Sequence, residues 1–262
     1  MDKTLLKGLM VLEVMSTLDE AVGLQDVAQR LGLTRSNAHR TLQTLVHAGY
    51  VTRDAQQGGY RCTLKMFELG TRQLAAMDVR RLATPFMRAL AAQTDETVHL
   101  SVLTDFDVVY VDKIDSAQPI QAYSVVGGRA PAYAVATGKA LLAFQADDYL
   151  ERHESHLRRH TPLTLTSLAE LRQELAQVVQ CGYAVNRGEW RAEVGGVAAP
   201  IFNGLERRPV AALGVSAPLE RLTGDRLLIM AAAVLKAAES LSRQLGYQGK
   251  GAGSSLHTTE KS

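Results

Sequence analysis

Apolar residues near the N-terminus follow the 3.6-residue period of an α-helix. The pattern predicts three helices before residue 48, each with one apolar face that can pack against the others. Gly32 and Gly49 follow the second and third helices, at the position where glycine commonly ends a helix. In the third helix, over 34–47, the apolar face is Ala38, Leu42, Leu45 and Val46. In the first helix the apolar positions are Leu5, Leu9, Leu12 and Met15.

A hairpin is predicted directly after the third helix. The runs 50–52 and 60–64 are rich in strand-forming residues and flank Gly58-Gly59. Two helices joined by a glycine-containing turn, over about residues 24–43, match the helix-turn-helix arrangement, whose second helix lies in the major groove of DNA. The hairpin then occupies the place of a wing. The sequence therefore predicts a winged helix-turn-helix domain over residues 3–65.

The polar face of the third helix carries DNA-binding side chains and no carboxylate. Arginine can bond guanine through two atoms, asparagine or glutamine can do so with adenine, and hydroxyl groups commonly donate to phosphates. Residues 1–66 hold eight Lys/Arg and six Asp/Glu, whereas the remainder is neutral. The alternative is that this face is simply the solvent-exposed side of a helix in an ordinary three-helix domain. The candidate DNA-contacting residues are Thr34, Arg35, Ser36, Asn37, His39, Arg40, Gln43 and Thr44, with Arg53 on the wing.

Beyond the hairpin, the pattern mixes helices and strands. A helix over 65–80, with residues 66–79 as a linker, is predicted to lead into a second domain over 80–249. Helices that flank a mainly antiparallel sheet give the α+β class. Residues 250–262 are rich in Gly, Ser and Thr and are expected to form a disordered tail. Strands are predicted at 97–103, 108–114, 120–126, 183–186, 197–202 and 210–216, and helices at 81–93, 138–144, 147–159, 167–180 and 222–245.

Composition excludes several classes of protein. The 262 residues are 46% apolar and 21% charged, which is typical of a globular chain. No run approaches the ~18–20 apolar residues that a membrane span needs. The start, Met1-Asp2-Lys3, lacks a secretory signal, so we expect a cytoplasmic protein. Cys62 and Cys181 are too few and too far apart for a disulfide framework or a zinc finger, and no cofactor is expected.

Motifs typical of enzymes are incomplete. Gly138-Lys139-Ala140 looks like the end of a phosphate-binding loop, but Tyr133 stands where the first glycine is required and no Ser or Thr follows the lysine. The run 214–218 lacks the final glycine of a nucleophile elbow. No set of residues supports a catalytic hypothesis.

Two features of the sequence each allow two interpretations. His153, His156 and His160 fall on one face of a predicted helix, where they could hold a metal ion or form a solvated surface among charged neighbours. Trp190 is either the lid of a pocket or a packing residue.

A series of motifs runs along the chain over about residues 4–247. They include Leu31–Arg40, Gly49–Val51, Ala136–Ala143, Thr161–Thr164, Gly182–Ala184, Ala198–Pro200 and Ser216–Pro218. In order and spacing these motifs resemble those of the IclR family of bacterial transcription regulators. The resemblance implies a winged helix-turn-helix followed by a GAF-like α/β effector-binding domain. Within the family, Leu64–Gly70 and Glu96–Leu100 look closest to the branch that regulates sugar-acid catabolism.

The resemblance also implies an effector-binding site. The residues themselves suggest that an anion binds where Ala136 begins a helix, because the free N–H groups at a helix start attract a carboxylate. The chain departs from the family at Asn186, where an acid is common, at Gly195-Gly196, where Arg-Cys is common, and at Glu193, which replaces a glycine. The identity of the effector therefore cannot be inferred from that of relatives. The candidate effector residues are Ala122, Ala136, Thr137, Gly138, Asn186, Val194, Gly196, Gly214 and Ser216.

The sequence thus predicts a DNA-binding transcription regulator rather than an enzyme. We expect it to act as a repressor of a catabolic operon, responding to a small carboxylate or sugar-acid-like effector. A homodimer or homotetramer on double-stranded operator DNA is expected, because one such unit covers few base pairs. The alternatives are a metabolic enzyme or carrier whose N-terminal domain only mediates assembly, and an architectural DNA binder.

Overall fold

The computed structural model describes residues 2–18, 20–54, 58–75, 77–122, 124–205 and 208–248. The chain divides into two compact units, Met1–Ala76 and Met77–Ser262, called here the N-terminal unit and the C-terminal unit. Each unit has a hydrophobic core of its own. The predicted tail, 250–262, lies outside the described residues.

The N-terminal unit is three helices followed by a hairpin and a fourth helix. Side chains cap the starts of two of its helices: the Asp2 carboxylate accepts from the N–H groups of Thr4 and Leu5, and the Thr34 hydroxyl accepts from the N–H of Asn37. The elements are α1 (Lys3–Ser16), α2 (Leu24–Arg30), α3 (Arg35–His47), β1 (Val51–Arg53), β2 (Tyr60–Cys62) and α4 (Lys65–Ala75).

The apolar stripe predicted for α1 is buried only in its second half. Leu12 and Met15 pack in the core of the N-terminal unit, together with Val11. Leu5 and Leu9 keep the helical period but are 63% and 49% exposed. The predicted helix is therefore present and its stripe lies on one face, but the first turns of α1 leave that face exposed.

The linker predicted as one helix over 65–80 is interrupted. α4 ends at Ala75, and Met77 has an extended backbone with φ −85° and ψ 97°, which a continuous helix cannot contain. At the other end of α4, the Lys65 ammonium donates to the carbonyl of Ala48 at 2.6 Å. That bond satisfies a carbonyl at the C-terminal end of α3 and ties the two helices together.

The C-terminal unit contains a six-stranded sheet of order β5-β4-β3-β8-β7-β6, antiparallel throughout, so the predicted α+β class is confirmed. α5 and α9 pack on one face, and α6 and α8 on the other. The elements are α5 (Asp78–Thr94), β3 (Thr97–Thr104), β4 (Asp107–Ile114), β5 (Arg129–Pro131), α6 (Ala136–Leu142), α7 (Asp147–Arg152), α8 (Leu168–Cys181), β6 (Ala184–Arg187), β7 (Val194–Ile201), β8 (Ala211–Pro218) and α9 (Gly224–Gln244), with 3₁₀ turns at Ala132–Ala134, Glu154–His156 and Leu219–Arg221.

The strand predicted over 120–126 is wrong. Residues 120–122 and 124–126 form no strand, because the free edge of β4 pairs with the shorter β5, in the register Asp107 to Pro131. Ala122 is buried whereas Ile120 and Val125 are exposed, so the apolar run is a surface loop with one residue packed inward. The loop turns back to β5 through Gly127, whose φ of +83° glycine adopts without strain.

Candidate DNA-binding surface and effector cavity

The polar face of α3 is exposed. Arg40 and Asn37 are joined to each other, since the Arg40 guanidinium donates to the Asn37 side-chain oxygen at 2.8 Å. Thr34 caps the helix, so its hydroxyl has a structural task at this position. Of the nine predicted DNA-contacting residues, seven are exposed and two are partly buried. The exposed residues are Thr34, Arg35, Ser36, His39, Arg40, Thr44 and Arg53, and the partly buried ones are Asn37 and Gln43.

Tyr60 connects the hairpin to α3. Its hydroxyl receives hydrogen bonds from the Arg53 guanidinium at 3.2 Å and from the Gln43 amide at 3.4 Å, and the Arg53 guanidinium lies 5.5 Å from the centre of the Tyr60 ring. Arg61, the other hairpin arginine, is paired with Asp54 at 2.6 Å. The tyrosine therefore holds one wing cation beside the polar face of α3.

A groove of about 590 Å³ lies between α1 and α3. Leu5 and Leu9 form its α1 side, and Asn37, Arg40 and Thr44 form part of its α3 side. An exposed apolar strip at this place is unusual for an isolated monomer and is typical of a surface that another chain covers.

The predicted effector residues gather around one cavity in the C-terminal unit, called here the C-terminal cavity. Its volume is about 30 Å³, which is room for no more than about two water molecules. Seven of the nine predicted residues line it, while Gly138 and Gly196 do not. Those seven are Ala122, Ala136, Thr137, Asn186, Val194, Gly214 and Ser216, and the other lining residues are His99, Tyr110, Ser124, Val135, Trp190, Arg191, Val197 and Val215.

Sheet register explains why distant residues meet at this cavity. His99 pairs with Gly214, and Thr97 pairs with Ser216 across the same two strands, so all four face the side of the sheet that α6 covers. At Gly214 a Cβ atom would lie 2.7 Å from the Thr137 methyl carbon, so glycine is required for α6 to approach.

Gly138 is needed for packing rather than for lining the cavity. A Cβ atom there would lie 2.1 Å from the carbonyl oxygen of Ala132. The glycine thus lets α6 pack directly on the preceding 3₁₀ turn. α6 has only seven residues, so its dipole is short, and side-chain groups carry most of the polarity of the cavity.

His99 is a polar residue of the cavity that the sequence prediction missed. It is buried, its Nε2 lies 2.6 Å from the Ser124 hydroxyl, and its Nδ1 is without a hydrogen-bond partner among the described residues. Its pKa is lowered to about 4, mainly by burial and also by the Lys113 charge, and Asp115 partly opposes both. The signal was present in the sequence: Thr97, His99 and Ser101 alternate with apolar residues along β3.

Arg191 supplies positive charge to the cavity, and it was also missed. Its guanidinium lies 4.8 Å from the centre of the Trp190 ring, and its charge favours the ionised form of Tyr110, whose pKa burial nevertheless raises to about 12. Trp190, left open between lid and packing, lines the cavity half-buried. No sequence pattern marks Arg191, because it lies in the irregular segment between β6 and β7.

The three histidines do not share a helix face. α7 ends at Arg152, so His153 follows it, His156 lies in a 3₁₀ turn and His160 lies in a loop beside Tyr133. His153 stacks on Phe106 at 4.9 Å. Across the described part of the chain, no group of three or more His, Cys, Asp or Glu side chains is placed to hold a metal ion. Nor is any described helix long and apolar enough to cross a membrane.

Comparisons with known proteins cover nearly the whole chain. Residues 4–55 match the model of the IclR helix-turn-helix domain, and residues 71–243 match that of the bacterial transcriptional regulator IclR C-terminal domain. Among curated relatives, the HTH-type transcriptional regulator KdgR of Escherichia coli K12 is 35% identical over 231 residues, which cover 87% of this chain and 88% of that protein. The transcriptional repressor IclR of the same organism is 30% identical over 248 residues, covering 93% and 90%.

A solved structure shows a similar fold throughout. The IclR homologue of Microbacterium hydrocarbonoxydans, crystallised in complex with 4-hydroxybenzoate, matches with a TM-score of 0.81 and 27% identity, covering 93% of this chain and 99% of that chain.

Proposed function

Because this chain belongs to the IclR family of bacterial transcriptional regulators, which are not enzymes, we propose that it represses a catabolic operon and responds to a small carboxylate in the C-terminal cavity. Its curated relatives include the repressor IclR, which supports repression over activation. A regulator of an operon acts where the chromosome is, which for a bacterium is the cytoplasm.

Operator recognition is assigned to α3 and the hairpin. Arg40 and Asn37 lie on a face without carboxylates and have the side chains that read guanine and adenine. Their mutual hydrogen bond orients both groups before DNA arrives, and each can exchange that bond for a base edge. Arg53, held by Tyr60, is the proposed phosphate contact of the wing.

A second copy of the chain is the proposed partner of the exposed strip on α1. Leu5 and Leu9 are too exposed for a stable monomer surface, and Phe67 on α4 of the same unit is 70% exposed. Pairing two N-terminal units also supplies the second recognition helix that a near-palindromic operator requires. We propose a homodimer through this unit, which can assemble further into a homotetramer.

Arg191 carries the assignment of a carboxylate effector. It is the one Lys or Arg among the described residues that line the C-terminal cavity, and no Asp or Glu lies among them. A carboxylate can pair with this guanidinium. The Thr137 and Ser216 hydroxyls and the unpartnered His99 Nδ1 suit hydroxyl groups on the same molecule. A hydroxylated carboxylate, as in sugar acids, satisfies all of these groups.

A gel-shift experiment tests the proposed function. The full-length protein is titrated onto the DNA upstream of its own gene, with and without a panel of hydroxylated and plain carboxylates, 4-hydroxybenzoate among them. We expect a shift that one class of carboxylate changes. Arg40→Ala should weaken operator binding by about 1–3 kcal/mol more than binding to unrelated DNA. Arg53→Ala should weaken both equally and flatten the salt dependence.

Thr137→Leu separates the two sites. The larger apolar side chain fills the cavity and removes a hydroxyl, so the carboxylate response should be lost while operator affinity without effector stays within about twofold. Normal effector binding by this variant would place the site elsewhere in the protein.

A further inference from the structure

Lys139 lies fully buried behind the wall of the C-terminal cavity. Its ammonium is 2.8 Å from the Glu174 carboxylate and 2.8 Å from the Glu189 carboxylate. Glu189 is buried as well, and Glu174 is partly exposed. An ammonium removed from water is tolerated only when it is paired, and these two acids pair it. None of the three side chains lines the cavity, so the cluster acts on the cavity only through the elements that it joins.

The cluster joins two elements that line the cavity. Lys139 is on α6, two residues beyond Thr137, which lines the cavity. Glu189 directly precedes Trp190 and Arg191, which also line it. The Lys139–Glu189 ion pair is therefore a link between the helix that contributes a hydroxyl and the segment that contributes the cation.

Segment 188–193 has no helix or strand to fix its position. Hydrogen bonds from its backbone N–H groups hold its first part: the Asn186 side-chain oxygen accepts from Gly188 and Glu189, each at 3.0 Å. The Glu189 carboxylate also accepts from the N–H of Arg187. The Thr161 and Thr164 hydroxyls also donate to the carbonyls of Gly188 and Glu189 and hold the same part of the segment. The Glu189 carboxylate is the group that joins the segment to α6, through Lys139.

We infer that the Lys139–Glu189 ion pair is a positioning device that fixes segment 188–193 so that Arg191 meets the effector. The cavity holds about 30 Å³, so an effector needs space. Arg191 is exposed, and its side chain has no hydrogen bond to another described residue, so it can turn while the anchored backbone stays. Trp190 is half-buried and packs against the core of the unit, so it reports the position of the segment. The consequence for effector binding rests on the proposed function, but the effect on the segment does not.

Trp190 makes the inference directly measurable, because it is the single tryptophan of the chain. The test compares the full-length wild type with K139M/E189M, which removes the two fully buried charges together. Glu174, which is partly exposed, keeps Arg187 as its partner at 3.6 Å. Acrylamide quenching of Trp190 should rise by about twofold or more in the double variant at an unchanged fold, as judged by circular dichroism. E189Q, which keeps the size of the side chain, gives the same comparison if the double variant is insoluble.

E174Q is the matched control. It changes the other acid on the same ammonium, but Glu174 lies on α8 and not on the segment. Its second partner, Arg187 at 3.6 Å, is exposed and is held by the pairing of β6, so quenching should stay near the wild-type value. Unchanged quenching in both K139M/E189M and E189Q would overturn the inference. An equal rise in E174Q would also overturn it, since the effect would then follow from loss of any charge in the cluster.

Binding of 4-hydroxybenzoate by calorimetry forms the second arm. If the wild type binds this carboxylate, K139M/E189M should bind at least about tenfold more weakly, while E174Q binds within about threefold. Equal affinity for all three proteins contradicts the inference. A wild type that binds no member of the carboxylate panel contradicts the proposed function instead, and the quenching comparison still decides the role of the ion pair.

Discussion

His99 should make the stability of the C-terminal unit depend on pH between about 6.5 and 4. In the folded protein its pKa is lowered from 6.5 to about 4, mainly by burial. The unfolded chain therefore takes up a proton at pH values where the folded chain does not, so stability is full above pH 6.5 and is lost as the pH falls towards 4. At roughly 1.4 kcal/mol for each pH unit, the loss is about 2 kcal/mol by pH 5 and about 3 kcal/mol by pH 4.

The assay is urea unfolding of the full-length protein, followed by Trp190 fluorescence, at a series of pH values from 7.5 to 4. Carboxylates also titrate at the acid end, so the measured quantity is the difference between the wild type and His99→Gln. Glutamine keeps a polar group near Ser124 but takes up no proton in this range. The wild type should lose about 3 kcal/mol more than the variant. A difference that stays constant with pH would show that His99 is not buried as described.

Three further predictions follow from single contacts. Gly138→Ala should destabilise the C-terminal unit by more than about 3 kcal/mol in the same urea assay, because the new Cβ would lie 2.1 Å from the carbonyl oxygen of Ala132; a loss below about 1 kcal/mol would refute the packing argument. Leu9→Glu should dissociate the proposed dimer, seen by sedimentation, and weaken operator binding at least about tenfold, whereas an unchanged dimer would exclude α1 from the interface. Arg80→Leu should leave carboxylate affinity within about twofold but abolish its effect in the gel shift, and a normal response would exclude Arg80 from the coupling.

The sequence predicted best where a local pattern determines the outcome. α3 was predicted at its observed place because its period, its Thr34 cap and its terminal glycine all agree. The exposure of Leu9 could not be predicted, since periodicity reports which residues share a face and not whether a partner lies opposite that face. The run 120–126 looked like a strand for the same reason: apolar residues indicate burial or pairing without saying which.

The cavity was predictable only in part. Seven of its lining residues were predicted from the resemblance to a family. The ligand positions of a family already reflect which distant strands lie side by side in its fold. His99 has a signal in the alternation along β3, but its meeting with Gly214 depends on the sheet register. Arg191 has no pattern at all, because its place is determined by side-chain bonds of Asn186 and Glu189 and not by backbone periodicity.

The expected effect of Arg80→Leu follows from the bonds that join β4 to the start of α5. Tyr110 lines the cavity on β4, and the next carbonyl along that strand, of Val111, accepts a hydrogen bond from the Arg80 guanidinium at 3.1 Å. Asp112 adds an ion pair to the same guanidinium at 3.5 Å. Arg80 lies in the first turn of α5, directly after the point where the chain leaves the N-terminal unit. If the proposed effector displaces Tyr110, we expect the movement to reach the start of α5 through these two bonds. A leucine at position 80 keeps the apolar stem but loses both bonds.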